Sequence, residues 1–212
     1  MRITWHGHSC FKVVTKNATI ITDPFSKDIG LKPPRCEADI VTVSHDHYDH
    51  NNTSTLRKSP FVINGPGEYE LRGISILGIK SFHDVKQGKE RGLNTIFLIK
   101  VEDIKICHLG DLGQEELIDK QLEKLSSVDI LMIPVGGIYT IDGEKARAII
   151  NQIEPKIVIP MHYKIPKLNI KLHKVDNFLK EIGVKEEVID QLMIKKKDLS
   201  KEEMKVVVMK IL

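Results

Sequence analysis

Four residues of strand character, Ile40–Val43, run through Ser44 into His45-Asp46-His47-Tyr48-Asp49-His50. This junction constrains the fold more than any other stretch of the chain. A regular strand sends alternate side chains to opposite faces, and a regular helix spreads them around its axis. Neither would bring three imidazoles and their neighbouring carboxylates to one point at these spacings. A loop between a strand and a helix can, and the segment Asn51–Lys58 reads as that helix. Neutral imidazole and carboxylate are donors that suit zinc, iron or manganese. A chance match to HxHxDH would arise in roughly one of a thousand such chains, so a solvated, accidentally His-rich loop is the weaker explanation.

Six residues cannot complete two metal sites, so further donors are expected at other strand ends. His83 closes the apolar run Ile74–Phe82, Asp111 follows Ile104–His108 across Gly110, and His162 follows Ile157-Val158-Ile159-Pro160-Met161. A lone His after a strand is more often a surface or capped group. Together these three sit at the carboxyl ends of successive strands, where open α/β sheets place their sites.

The remaining pattern gives an α/β layered domain with mixed sheets. Arg2–Trp5, Phe11–Thr15 and Ala18–Thr22 suggest a strand meander, continued by Phe61–Asn64, Ile74–Phe82, Thr95–Val101 and Ile104–His108. The second half alternates: helix Gln114–Leu125 with Leu117, Ile118, Leu122 and Leu125 on one face, strand Asp129–Pro134, helix Gly143–Ile153, strand Lys156–Pro160, and helix Lys174–Ile182 ended by Gly183. Lys205–Leu212 reads as a closing strand. No linker or repeat divides the 212 residues, which predicts one domain spanning 1–212.

Composition narrows the function. A net charge of +3 gives no argument for nucleic-acid binding, and the run Lys195-Lys196-Lys197 reads as a solvated turn. Cys10, Cys36 and Cys107 share no CxxC spacing, which speaks against a disulfide framework or a Cys-based zinc knuckle. The N-terminal Met1-Arg2-Ile3-Thr4-Trp5-His6-Gly7 lacks an apolar signal core, and no stretch approaches the length of a membrane span, so the expected address is the cytoplasm.

The HxHxDH run with its later donors resembles the metallo-β-lactamase superfamily along nearly the whole chain. Trp5-His6-Gly7-His8-Ser9-Cys10-Phe11, Thr22-Asp23-Pro24-Phe25, His108-Leu109-Gly110-Asp111 and Ile159-Pro160-Met161-His162-Tyr163 resemble the branch of ascorbate-6-phosphate lactonases and related metal-dependent hydrolases. The resemblance implies a four-layer αββα sandwich with two mixed β-sheets. It also implies two divalent ions, zinc foremost, with manganese or iron as alternatives. His45, His47 and His83 would hold the first ion, Asp49, His50 and His162 the second, and Asp111 would bridge them. Asp49 and Asp111 would also position a hydroxide shared by the metals. The reaction implied is cleavage of an ester-type bond (lactone, carboxylic ester or phosphodiester) in a small molecule. A nuclease of the same fold and a non-catalytic metal sensor are the alternatives. The chain lacks room for the extra helical domain of glyoxalase-type members or the arm of tRNA-processing members. His47 stands where redox diiron members carry Glu.

Several other residues have competing readings. His6 and His8 alternate on one strand face and could line the pocket, with His8 a substrate contact, but packing explains them equally well. His108 reads as core or as support for a ligand. Asp23 could orient a ligand histidine or form an ordinary Asx turn. Tyr139, in a Gly-rich loop, is a candidate substrate contact, and His173 reads as exposed. His8 or Tyr163 could protonate a leaving group.

Overall fold

The computed structural model describes residues 1–199 and 203–212. Its first half builds β1 (Arg2–Gly7), β2 (Cys10–Val14), β3 (Thr19–Thr22), β4 (Ile40–Thr42) and β5 (Phe61–Ile63). β1, β2 and β3 form an antiparallel meander, and β4 and β5 add in parallel beyond β3. β6 (Gly67–Leu71), β7 (Ile74–Phe82), β8 (Leu93–Val101) and β9 (Ile104–His108) form a second antiparallel meander. Its sheet continues in parallel through β10 (Ile130–Pro134) and β11 (Ile157–Met161). Of the later strands, β12 (Glu186–Ile189) and β14 (Lys205–Met209) extend this second sheet, while β13 (Leu192–Met193) returns to pair with β1. The result is two mixed sheets, ordered β13-β1-β2-β3-β4-β5 and β12-β14-β11-β10-β9-β8-β7-β6.

β10 and β11 are buried at every residue, as parallel strands covered on both faces must be. Side chains from the two sheets, among them Ile3, Phe11 and Ile20 from one and Phe97, Ile130 and Ile159 from the other, merge into one apolar core. Burial of such side chains contributes about 1.5–3 kcal/mol each before the entropy of ordering the chain is counted. Three helices, α1 (Asp119–Lys124), α2 (Gly143–Ile153) and α3 (Val175–Ile182), connect strands of the eight-stranded sheet. Asp142 caps α2 by accepting from the Lys145 amide, and Gly183 ends α3 in the left-handed conformation. No helix among the described residues is long and apolar enough to cross a membrane.

The structure departs from the sequence reading at several elements. Asn51–Lys58 is not an α-helix; only Thr53–Thr55 makes a 3-10 turn. Thr53, Ser54 and Thr55 compete with the backbone for hydrogen bonds, Asn52 gives no side-chain cap, and Lys58 and Ser59 take positive φ. The helix expected over Gln114–Leu125 begins only at Asp119, because glutamine side chains claim the preceding backbone. Gln152 bonds both the N–H and the carbonyl of Leu117, Gln114 reaches the Glu116 carbonyl, and Gln121 accepts from the Ile118 amide. β6, β12 and β13 are additional strands, each short, at least half-exposed along its length and defined by its pairing with a neighbour. Lys196, in the basic run, turns back to bond Asp129.

Candidate metal centre

The residues 45–50 leave β4 in a tight turn closed by the His50 and Asn51 amides donating to the His47 carbonyl. The turn buries His45 and His50, half-buries His47 and Asp49, and turns Asp46 and Tyr48 outward. His83 follows β7, Asp111 follows β9 and His162 follows β11, so three further strand ends converge on this loop. Glycine permits the approach around Asp111. Gly110 has φ +56°, and a Cβ there would collide with Asn94 Oδ1 and the Ser44 side chain; a Cβ on Gly113 would strike the His83 backbone. Asn94 then fixes the bend by accepting from the Asp111 amide at 3.0 Å and donating to the Leu109 carbonyl at 2.9 Å.

Two groups of donors result: His45, His47 and His83 in one, and His8, Asp49, His50 and His162 in the other. Asp111 joins them. Its Oδ2 lies 3.1 Å from His162 Nε2, 3.3 Å from His50 Nε2, 3.5 Å from His83 Nε2 and 4.0 Å from His45 Nε2. Burial alone would raise the pKa of this carboxyl, but His162 and His50 outweigh it and hold it well below the carboxylate range. Asp49 is treated alike: His50 and His8 overcome its burial and keep it ionised.

A buried carboxylate sets the direction of two imidazoles. Asp23 Oδ2 lies 2.8 Å from His50 Nδ1 and 2.6 Å from Ser44 Oγ, which in turn is 2.9 Å from His45 Nδ1. An ionised carboxylate only accepts, so it accepts hydrogen bonds from His50 Nδ1–H and from the Ser44 hydroxyl. The hydroxyl has then spent its proton and accepts from His45 Nδ1. Both rings consequently turn Nε2 toward Asp111, and neither nitrogen has a hydrogen-bond partner. Burial, then the charge of His50, lowers the His45 pKa to about 2, which leaves that ring neutral. For His50 burial also opposes protonation, but Asp111, Asp23 and Asp49 prevail and hold its pKa well above the ordinary value.

His8, expected to touch substrate, is wholly buried instead. A positive φ of 54° folds it inward from the turn after β1, where Nε2 lies 3.1 Å from Asp49 Oδ2 and the ring packs 4.2 Å from that of His162. His6 ends up on β1 itself and His8 beyond it, so they do not share a strand face. Tyr163 is buried with its ring centroid 5.2 Å from that of Trp5 and is not among the residues that line the cleft. His108 is a satisfied core residue: Nε2 donates to the Ser9 carbonyl and Nδ1 accepts from the Gly110 amide. His173 is exposed. Tyr139 lines a cleft of about 650 Å³ with His47, Asp49, His83, Asp111 and His162.

Residues 2–162 match the family model described as the β-lactamase superfamily domain. The chain belongs to that superfamily. A UPF0173 metal-dependent hydrolase of Thermoplasma acidophilum is 30% identical over 191 residues, with 77% of this chain and 83% of the relative aligned. One from Methanoculleus marisnigri is 32% identical over 187 residues, covering 77% and 81%. Among solved structures, a protein of Thermotoga maritima assigned to the metallo-β-lactamase superfamily as a Zn-dependent hydrolase is 39% identical. It has a TM-score of 0.81, with 98% of this chain and 97% of that one covered. Igni18, a metallo hydrolase from Ignicoccus hospitalis, shares the fold at a TM-score of 0.65 and 21% identity, covering 99% of this chain and 95% of its own.

Sequence reasoning missed several residues around this cluster. Ser44 stands beside His45, but its role as relay follows only from the fold of Asp23 onto it. Asn94, and Arg91 and Lys171, which also line the cleft, carry no local signal, since an Asn in a strand and cations in polar loops are ordinary.

Proposed function

We propose that this chain is a hydrolase dependent on two divalent cations, acting on an ester-type bond of a small molecule. His45, His47 and His83 would hold one cation, and Asp49, His50 and His162 the other, with Asp111 reaching both. The observation that carries this reading is the convergence on Asp111 of buried donors with no other partner. Asp111 Oδ1, His45 Nε2 and His50 Nε2 are all buried without a hydrogen bond. Leaving such groups unpaired costs about 1–3 kcal/mol each, and a borderline cation would satisfy them together. The imidazole and carboxylate set fits zinc, and manganese or iron would be the alternatives.

When bound, two such cations supply hydroxide near neutral pH and Lewis-acid charge at the scissile bond. The protein's own groups prepare that chemistry. Asp23 and Ser44 orient two imidazoles, and Asp49 and Asp111 remain ionised inside the fold. His8 would hold Asp49 in place by donating to Oδ2. Tyr139 and the half-buried His47 line a cleft whose volume suits a small molecule.

Elemental analysis of metal-reconstituted protein, followed by a panel of lactones, esters, thioesters and phosphodiesters, tests this. Two ions per chain and turnover of at least one class are expected. A maximum of one ion with several metals would overturn the paired-cation reading, and two ions without any turnover would favour a metal-binding sensor.

A further inference from the structure

On the outer face of β6–β9 the charges are sorted by strand. β6 ends the eight-stranded sheet, and cross-strand register fixes what stands beside it. One row across these strands runs Glu70, Ser75, Lys100, Lys105, and the next runs Glu68, Leu77, Leu98, Cys107. Residues directly opposite one another share a face of the sheet. All of these except Cys107 line a groove of about 500 Å³. Two glutamates form one wall, two lysines form the other, and Leu77 and Leu98 lie between them. Glu68, Glu70 and Lys100 are exposed, and Leu77 is half-buried.

Sorting of this kind is unfavourable within a single chain. Glu68 and Glu70 are two residues apart on one face of β6, so like charges are neighbours there. Lys100 and Lys105 are directly opposed across β8 and β9, where like charges destabilise a sheet. The opposite charges are held apart, because β7 separates β6 from β8 and puts their backbones about 10 Å from each other. Lys105 is also anchored on its own wall. Its Nζ donates to the Ser126 carbonyl at 2.7 Å, and an ammonium has two further donors to offer.

We propose that a second copy of this chain docks on this face. A two-fold axis lying in the plane of contact, parallel to the strands, turns one copy over onto the other. The glutamate wall of each copy then meets the lysine wall of the other, and the apolar strips of Leu77 and Leu98 meet between them. The face is its own complement, as an isologous contact requires, and the opposed charges set its orientation. Two copies could otherwise join edge to edge through β6, the end of the sheet. Antiparallel self-pairing about Tyr69 would set Glu68 of each copy against Glu70 of the other, like charge on like. Charge therefore favours the face over the edge. The groove reaches Ser75 near the start of β7, whereas His83 follows its end, about 27 Å further along the strand. The contact is separate from the metal centre and does not rest on the hydrolase reading.

Sedimentation equilibrium of the metal-reconstituted protein tests this. A face of this size gives weak association, so dimer should appear by about 0.2 mM at low salt and diminish at high salt. Reversing one wall in Glu68→Lys/Glu70→Lys, or the other in Lys100→Glu/Lys105→Glu, should raise the dissociation constant at least about tenfold. Urea unfolding checks that each variant is folded. Mixed in equal amounts, the two reversed variants should dimerise again, because every wall then meets its opposite. If either reversal fails to fold, Leu77→Gln replaces it and should weaken the dimer through the apolar strip. A wild-type monomer throughout, or a mixture of folded variants that stays monomeric, overturns the proposal. So does a dimer unmoved by reversing the lysines or by Leu77→Gln, which would place the contact at the β6 edge or on another surface.

Discussion

Asp23→Asn separates an orienting role for this carboxylate from a merely structural one. Asp23 has no exposed surface and accepts from the Ser44 amide at 2.8 Å, the Ser44 hydroxyl at 2.6 Å and His50 Nδ1 at 2.8 Å. Asparagine has nearly the same shape but one terminus is a donor. Its oxygen can keep the Ser44 amide, which puts its NH2 opposite His50 Nδ1 and the Ser44 hydroxyl. The hydroxyl can rotate to accept. His50 can avoid a clash of donors only by giving up its Nδ1 proton and keeping one on Nε2, the nitrogen that faces Asp111. The ring then meets a metal with its proton on the wrong side. Changes to a hydrogen-bond partner of a ligand histidine lower metal affinity roughly 10–100-fold, which is about 1.4–2.7 kcal/mol. Metal-free stability should fall less, by about 1–2 kcal/mol, because one strong hydrogen bond is replaced rather than deleted. Competition with a chromogenic chelator measures the first quantity, and urea unfolding of metal-free protein the second. The weaker of two bound metals should be lost preferentially. Wild-type affinity for both ions, at whatever stability, would refute the orienting role.

On the proposed ligand sets, Asp111→Asn should weaken the ion that Asp49, His50 and His162 would hold more than the one assigned to three histidines, with activity falling steeply; two tightly bound metals with near-normal turnover would show that Asp111 does not bridge. Gly110→Ala places a side chain at φ +56° against Asn94 and Ser44 and should destabilise by about 2–5 kcal/mol, read as a lower urea midpoint. Asp129 bonds Lys156 at 2.6 Å and Lys196 at 2.8 Å. Its burial is outweighed by these partners, so its pKa is lowered. Asp129→Asn should therefore cost about 1–3 kcal/mol at neutral pH. Because the folded pKa lies below the unfolded one, the wild-type advantage is complete above the usual carboxyl range and shrinks as pH falls through the folded value; an advantage that grows on acidification would contradict the assignment.

Strong local patterns carried through to the structure. Ile74–Phe82, Ile104–His108 and Gly143–Ile153 have the boundaries their sequences predict, because long apolar runs and a good cap leave little choice. Elements whose backbone groups are claimed by distant residues did not. The helical pattern expected from Gln114 onward is broken where Gln152, 35 residues from Leu117, bonds both the N–H and the carbonyl of Leu117. The edge strands β6, β12 and β13 exist because a neighbour pairs with them, and their own patterning is weak.

The same division runs through the site. The sequence alone placed imidazole and carboxylate side chains at strand ends, since residue type and local spacing can be read along the chain. Only tertiary structure decided where His8 points, that Ser44 relays Asp23 to His45, and which loop cations face the cleft. Those facts depend on segments far apart in the chain, such as Asp23 and His50 at 27 residues or His8 and Asp49 at 41. A linear pattern holds no distance between such residues; packing two sheets around one core creates it.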